Sequence, residues 1–280
     1  MLKWKIGDVT ITQVVELTTA SLGPFLLPQA TPGVLAEMPW LKPFVDDEGQ
    51  IVLSMHSLVV ETPDASVLVD TCIGNDKERT YPRWNKMQGD FLDRFAGAGF
   101  SPDRMDRVLA THMHVDHVGW NTRLVDGRWI PTFANARYLF SQREWDHWSK
   151  EPQEYGPVVE DSVQPVFDAG LADLVAEDFQ VTDEVCLVST PGHTPGHVSV
   201  HISSKGEEAL ITGDAIHHPC QIAHPDWSSS ADVDQTASAA TRHDMLVRYA
   251  DRPVLIIGTH FAGPTAGHIV RDGGSYRLDY

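Results

Sequence analysis

The sequence predicts an α/β protein of two mixed β-sheets with helices packed outside them. Two observations carry this expectation. Short runs with strand character alternate irregularly with stretches of helical periodicity along the whole chain. Four of the apolar runs lead directly into a histidine- or aspartate-bearing segment, and open sheets collect their sites just beyond strand ends. A length of 280 residues fits one large domain with ample core, taken here as residues 1–280.

The elements follow in order. Residues 3–16 read as two strands about the Ile6-Gly7-Asp8 turn, with Val9, Ile11 and Gln13 alternating against Thr10, Thr12 and Val14. Residues 18–49 break the pattern, because Pro24, Pro28, Pro32, Pro39 and Pro43 stand among Phe25, Leu26, Leu27, Trp40 and Phe44. That stretch is too apolar for a free linker and too proline-rich for a regular element. It is expected to be a loop packed over something, either a lid on a pocket or the contact surface of a homodimer. Strands resume at 51–61 and 65–70, joined by a turn at Thr62-Pro63-Asp64. Met87, Phe91, Phe95 and Ala98 lie at helical spacing and predict a helix over 87–98 that ends at Gly99. Short strands at 107–110 and 137–140 precede helices at 142–150 and 156–168. A strand series follows at 185–189, 198–203 and 208–212. Residues 232–251 give the clearest helix, with Val233, Ala237, Ala240, Leu246 and Val247 roughly on one side. A strand at 254–257 and a hairpin of 267–270 with 275–278 through Gly273-Gly274 close the chain.

Composition bounds the function. A hydrophobic content of 42% with 21% charged residues is ordinary for a soluble globular protein, and no apolar run is long enough to span a membrane. Residues 1–8 have no apolar core behind a basic start, so no signal peptide is visible. Cys72, Cys186 and Cys220 are few and widely spaced, which suits buried thiols in a reducing cytoplasm. The formal charge is −18, and no Lys/Arg cluster stands out. Two bound divalent ions would still leave about −14. Nucleic acid is therefore not an expected partner, and neutral or cationic small molecules are favoured over polyanions.

The chemistry concentrates in Thr111-His112-Met113-His114-Val115-Asp116-His117, directly after Val108-Leu109-Ala110. Histidines two apart cannot share a helix face, so they converge only on an extended or looped segment. Three imidazoles and a carboxylate crowded there would otherwise desolvate polar groups for nothing. A metal centre is the economical reading, and more ligands are needed to fill a two-metal site. Three later segments supply them: His193 in Thr190-Pro191-Gly192-His193-Thr194-Pro195-Gly196-His197, Asp214 after Ile211-Thr212-Gly213, and His260 after Ile256-Ile257-Gly258-Thr259. A natural division gives His112, His114 and His193 to one ion and Asp116, His117 and His260 to the other, with Asp214 bridging. Imidazole and carboxylate without thiolate fit zinc first, and also manganese, iron or cobalt.

These residues resemble the metallo-β-lactamase-fold hydrolases. The family's His-x-His-x-Asp-His signature is complete at 112–117, and its later His, Asp and His match His193, Asp214 and His260. A family aspartate after an upstream strand matches Asp70 in Leu68-Val69-Asp70-Thr71. The resemblance implies a four-layer αββα sandwich with a di-metal site at one edge of the two sheets. Within the superfamily, Asp214, Val118-Gly119-Trp120-Asn121 and Gly192-His193-Thr194-Pro195-Gly196-His197 look most similar to N-acyl-homoserine lactonases and methyl parathion hydrolase-like enzymes. Secreted β-lactamases of this fold usually carry a leader and often a cysteine at the second metal, which disfavours that role here.

The expected activity is opening of a lactone or related ester by a hydroxide shared between the two ions. Asp116 is expected to be a ligand that also passes the proton to the leaving group. Asp70 and His197 are expected behind the ligands, Asp70 orienting a histidine. The substrate is expected to be small, neutral or apolar-chained, and Trp120, Phe261 and His217 are the first candidates to line its pocket. Phosphotriester hydrolysis and a glyoxalase II-like thioester hydrolysis are the rival reactions. A metal-dependent binding protein without turnover is the non-enzyme alternative, against which the full ligand set argues.

Overall fold

Every residue from 1 to 280 is described by the computed structural model, whose layers follow from strand alternation. The first strands are β1 (Lys3–Ile6), β2 (Val9–Thr19), β3 (Leu53–Glu61), β4 (Ser66–Val69) and β5 (Arg107–Leu109). A hairpin of β6 (Thr122–Val125) and β7 (Arg128–Pro131) stands apart, and β8 (Arg137–Ser141) and β9 (Ala172–Val175) complete a sheet ordered β1-β2-β3-β4-β5-β8-β9. The second sheet runs in sequence order through β10 (Val185–Ser189), β11 (Val198–Ser204), β12 (Glu207–Ile211), β13 (Val254–Ile257), β14 (Ala266–Asp272) and β15 (Ser275–Asp279). Both sheets are mixed: β4, β5, β8 and β9 pair in parallel, as do β12 and β13, and the other pairs are antiparallel.

Period-two side chains assign each strand two partners. Leu58, Val60, Val67, Val69 and Leu109 join Val200, Ile202, Ala209 and Ile211 in a core between the sheets. Their alternates Val59, Leu68 and Val108 face outward to meet Phe91 and Phe95 of the helix Phe91–Gly97. Leu210 and Ile256 likewise face away, against the outer layer that holds Leu246 and Tyr249. Helices α1 (Gly23–Leu26), α2 (Pro32–Leu35), α3 (Phe91–Gly97), α4 (Gln142–Trp148), α5 (Gln164–Asp168), α6 (Cys220–Ala223) and α7 (Gln235–Tyr249) flank the sheets. The architecture is the expected αββα sandwich. No helix is long and apolar enough to cross a membrane, and the three cysteines are unpaired.

Several local expectations change. Residues 18–49 are not devoid of regular structure: α1, α2 and a 3-10 helix at Pro39–Phe44 each begin with a proline in the first turn, where its missing N–H is no loss. Residues 21–26 of that stretch reach a cavity at the sheet edge, while Leu27, Leu35, Leu41 and Phe44 pack into the outer layer beyond the second sheet. The helix expected from 87 starts at Phe91. The hairpin β6–β7 and strand β9, too short and polar to signal themselves, were not expected. Helix α7 begins at Gln235 rather than 232, and its buried side is Ser238, Arg242, Met245, Leu246 and Tyr249, while Val247 is 65% exposed. Arg242 takes the core position because its guanidinium is satisfied there by Ser238 and Ser228 hydroxyls and by the carbonyls of Pro225 and Ala215.

Residues 74–87 have no regular structure, yet Tyr81 and Trp84 line the cavity. Buried charge holds this wall. Arg79 grips Asp161 at 2.6 and 3.0 Å, and Lys77 Nζ donates to the Asp161 carbonyl at 2.8 Å while sitting 3.6 Å over the Trp129 ring. Removing one member of a buried ion cluster leaves the others uncompensated, a loss of about 3–5 kcal/mol. Asp161→Ala should therefore lower the urea midpoint by that equivalent, with a change below about 1 kcal/mol refuting the anchoring role.

Candidate metal centre

The carboxyl ends of β4, β5, β12 and β13, together with the loop after β10, converge at one edge of the sandwich. Directly after β4, Asp70 adopts the left-handed conformation (φ 56°), which aspartate tolerates better than most residues. Its Oδ1 accepts from Thr111 N at 2.8 Å, and its Oδ2 accepts from Thr111 Oγ1 and His117 Nδ1, both at 2.9 Å. One buried carboxylate thus fixes the start of the histidine loop and its last imidazole. After β12, Gly213 takes φ 55°, and a Cβ there would lie 2.5 Å from His197 Nε2. The bare turn lets Asp214 N donate to His197 Nε2 at 2.8 Å, while His197 Nδ1 donates to the Thr190 carbonyl at 3.0 Å. Burial pushes His197 down to about 3, so it is a neutral strut.

The imidazoles face one another. His193 Nε2 lies 2.9 Å from His114 Nδ1 and 3.2 Å from His112 Nε2, and His260 Nε2 lies 3.2 Å from His117 Nε2. The outward nitrogens assign the tautomers, because their partners are a carboxylate or a carbonyl and can only accept. His193 Nδ1 donates to Asp232 Oδ1 at 2.8 Å, His117 Nδ1 to Asp70, and His260 Nδ1 to the Ser54 carbonyl at 3.1 Å. In the neutral ring each of these three histidines therefore turns a bare lone pair inward. Asp214 stands between the two groups with its oxygens divided. Oδ2 faces His193 at 3.4 Å and His112 at 3.9 Å, and Oδ1 faces His260 at 3.2 Å and His117 at 3.4 Å. That Oδ1 is buried without a hydrogen-bond partner. Asp116 approaches the second group, 3.6 Å from His260 and 3.7 Å from His117.

Such a donor set fits a cation and little else. Facing lone pairs and an orphaned buried carboxylate oxygen would cost several kcal/mol if nothing positive sat among them. Burial and the facing imidazoles hold His112 and His114 well below the usual imidazole range, the neutral form that binds metal. Burial would do the same to His117 and His260, but Asp214 outweighs it and raises both, helped by Asp70 and Asp116 at His117 and by Asp116 at His260. This half of the cluster demands positive charge. Burial pushes Asp214 upward too, yet His117, His260 and His217 hold its carboxyl well below the usual range.

The structure brings all seven expected ligand residues into groups whose donor atoms lie within 4.8 Å of one another. It adds His217, grouped with His193 and Asp214, its Nε2 3.2 Å from Asp214 Oδ2. His217 lines the cavity beside the cluster, a space of about 630 Å³. Trp120 and Phe261 do not, which corrects their expected place. Trp120 is turned into the core, stacked 5.8 Å from Phe91 with its Nε1 donating to the buried Glu16 at 2.6 Å. Successive residues of an extended segment point to opposite sides, so with His260 facing the cluster, Phe261 enters the outer layer against Phe44. Asp232 escaped the sequence reading. It falls in the stretch whose periodicity predicts a helix, and its partner His193 is 39 residues away.

The profile of the metallo-beta-lactamase superfamily matches residues 52–275. A probable metallo-hydrolase of Mycobacterium bovis is 30% identical over 182 residues, 60% of this chain and 58% of that protein. An N-acyl homoserine lactonase of a Bacillus species is 25% identical over 176 residues, 58% of this chain and 64% of that one. The chain thus spans less than two thirds of the length of either relative. Among solved structures, the hydrolase AbOPH superposes with a TM-score of 0.79 at 24% identity, covering 99% of this chain and 96% of that one. AidC, a dizinc quorum-quenching lactonase, gives 0.76 at 22% with the same coverages.

Because Asp70 holds the outward nitrogen of His117, its removal should free that ring. Partners of this kind are worth about 10- to 100-fold in metal affinity. Asp70→Ala should weaken zinc binding by that factor in a competitive chelator titration, and wild-type affinity in a folded variant would exclude the role.

Proposed function

The chain belongs to the metallo-beta-lactamase superfamily, and on that basis we propose that it is a di-metal hydrolase that opens a lactone or related ester bearing an apolar arm. The division of the Asp214 oxygens between two sets of inward-facing imidazoles carries this reading, since one ion would leave half the donors unused. When bound, two divalent ions, zinc foremost, supply a water acidic enough to attack near neutral pH and a Lewis acid for the carbonyl oxygen. His112, His114 and His193 would hold one ion and Asp116, His117 and His260 the other, with Asp214 shared.

The chain's own groups do the rest. Asp116 is the most open of the seven, its side chain 13% exposed, and it borders both the cluster and the cavity. It is the group to pass a proton to the departing alkoxide. His217, its Nε2 3.2 Å from Asp214 Oδ2, borders the cavity beside the cluster and orients the polar head of the substrate there. Leu22, Phe25, Leu26, Met55 and Trp84 offer an apolar surface to the acyl arm. No Lys or Arg lines the cavity, and Glu154 stands at its edge. That favours a neutral substrate over an anionic glutathione thioester, and it leaves the carboxylate product without a side-chain cation to retain it.

A panel of acyl-homoserine lactones, aryl esters, methyl parathion and a glutathione thioester, run on zinc-loaded protein, tests the assignment. Lactones should give the highest kcat/KM and the thioester the lowest. Absence of lactone turnover would sink the proposal, and zinc binding without turnover of any substrate would favour the binding-protein alternative. Asp214→Ala should lower both zinc content and activity; two zinc ions per chain with full activity would remove the bridging role. Phe25 is 55% exposed at the cavity mouth, so its truncation spares the core. Phe25→Ala should raise KM for long-chain lactones by about 5- to 30-fold, the equivalent of roughly 1–2 kcal/mol of apolar contact, and leave short-chain ones unchanged.

A further inference from the structure

Helix α4 opens with Ser141-Gln142-Arg143-Glu144, the spacing of a reciprocal N-terminal cap. Neither side chain caps it. Ser141 Oγ is buried without a hydrogen bond, and Glu144 turns away from the helix terminus. Glu144 is 1% exposed with no cationic partner, an expensive place for a carboxylate unless its oxygens are otherwise filled. They are filled by three N–H groups. Oε1 accepts from Gly196 N at 2.8 Å, and Oε2 accepts from Met113 N at 3.0 Å and Trp148 Nε1 at 2.9 Å. Met113 lies between His112 and His114, and Gly196 lies three residues after His193. These loops follow β5 of one sheet and β10 of the other. Their bases are joined by Val198 N donating to the Thr111 carbonyl at 3.0 Å, and their tips are joined through Glu144. Gly196 permits the contact, because a Cβ there would lie 2.5 Å from Glu144 N.

We propose that Glu144 is a positioning residue that sets the distance between the His112/His114 pair and His193, and thereby the hold on the one ion those three share. The inference rests on the two-metal reading above. It predicts selectivity between the ions, since His117 and His260 are held instead by Asp70 and the Ser54 carbonyl. A carboxylate is required, because all three partners are donors. In Glu144→Gln the amide NH2 must confront either Gly196 N or Met113 N, and one loop loses its acceptor.

The test follows zinc release from the two-zinc protein into excess 4-(2-pyridylazo)resorcinol, well below the melting temperature. In Glu144→Gln one of the two ions should leave about tenfold faster or more, while the other leaves at the wild-type rate. Gly196→Ala, which forces the loop off the helix, should reproduce that pattern and carries the test if Glu144→Gln does not fold. Ile6→Ala, a core truncation in β1 away from both loops, controls for lost stability and should release both ions as wild type does. Unchanged release of both ions from the folded variants overturns the inference, as does equal acceleration of both. Fewer than two zinc ions on the wild-type chain would instead overturn the two-metal reading and this inference with it.

Discussion

Imidazole nitrogens with bare lone pairs repel one another, yet this fold holds them 2.9–3.2 Å apart in its interior. Local backbone preference cannot achieve that. An outer ring of acceptors does, taking the outward N–H of His117, His193 and His260 and leaving the inward nitrogen bare. The ring is itself braced. Asp232 accepts from Ser229 N at 2.9 Å and lies 3.8 Å from Arg242, whose guanidinium is buried in the inner side of α7. The charge in the core of that helix stands behind a carboxylate, which stands behind an imidazole. Asp70 keeps a left-handed backbone for the same end.

The layers make this affordable. Beyond their first residues, β4, β5, β12 and β13 alternate side chains between two apolar faces, so those stretches hold no polar groups until they end. Beyond the last ladder hydrogen bond the chain is free to turn, and there the ligand residues gather. Parallel pairing of β4 with β5 and of β12 with β13 brings these ends to the same edge. The core and the cluster are consequences of the same strand registers.

That division also explains what could be read in the sequence. The strands that build the inter-sheet core were legible because 51–61 and 65–70 are largely apolar runs joined by the Thr62-Pro63-Asp64 turn signal. The gathered histidines were legible because four of the seven residues fall within six positions and the others follow apolar runs. What escaped depends on contacts between distant segments. Glu144 resembles a helix cap and serves two loops, Asp232 resembles a helix start and serves His193, and Glu16 sits at a register shift between Val15 and Leu17 to receive the Trp120 indole. The inner side of α7 was misjudged because a buried arginine satisfied by carbonyls and hydroxyls leaves no mark in hydropathy. Trp120 and Phe261 were misplaced because nearness in sequence to a ligand says nothing of which way the next side chain points.

The cavity walls come largely from residues 21–26, 80–84 and 154–155, none of which contributes a donor to the cluster. Each lies in a short helix or an irregular connection anchored elsewhere, by the outer layer in one case and by the Arg79–Asp161 pair in another. Insertions, deletions and side-chain changes in these stretches can accumulate without disturbing the strand ends. The reactive edge and the surface that chooses what reaches it are thus separately heritable. One lineage could pass through many substrates while the chemistry stays where it is.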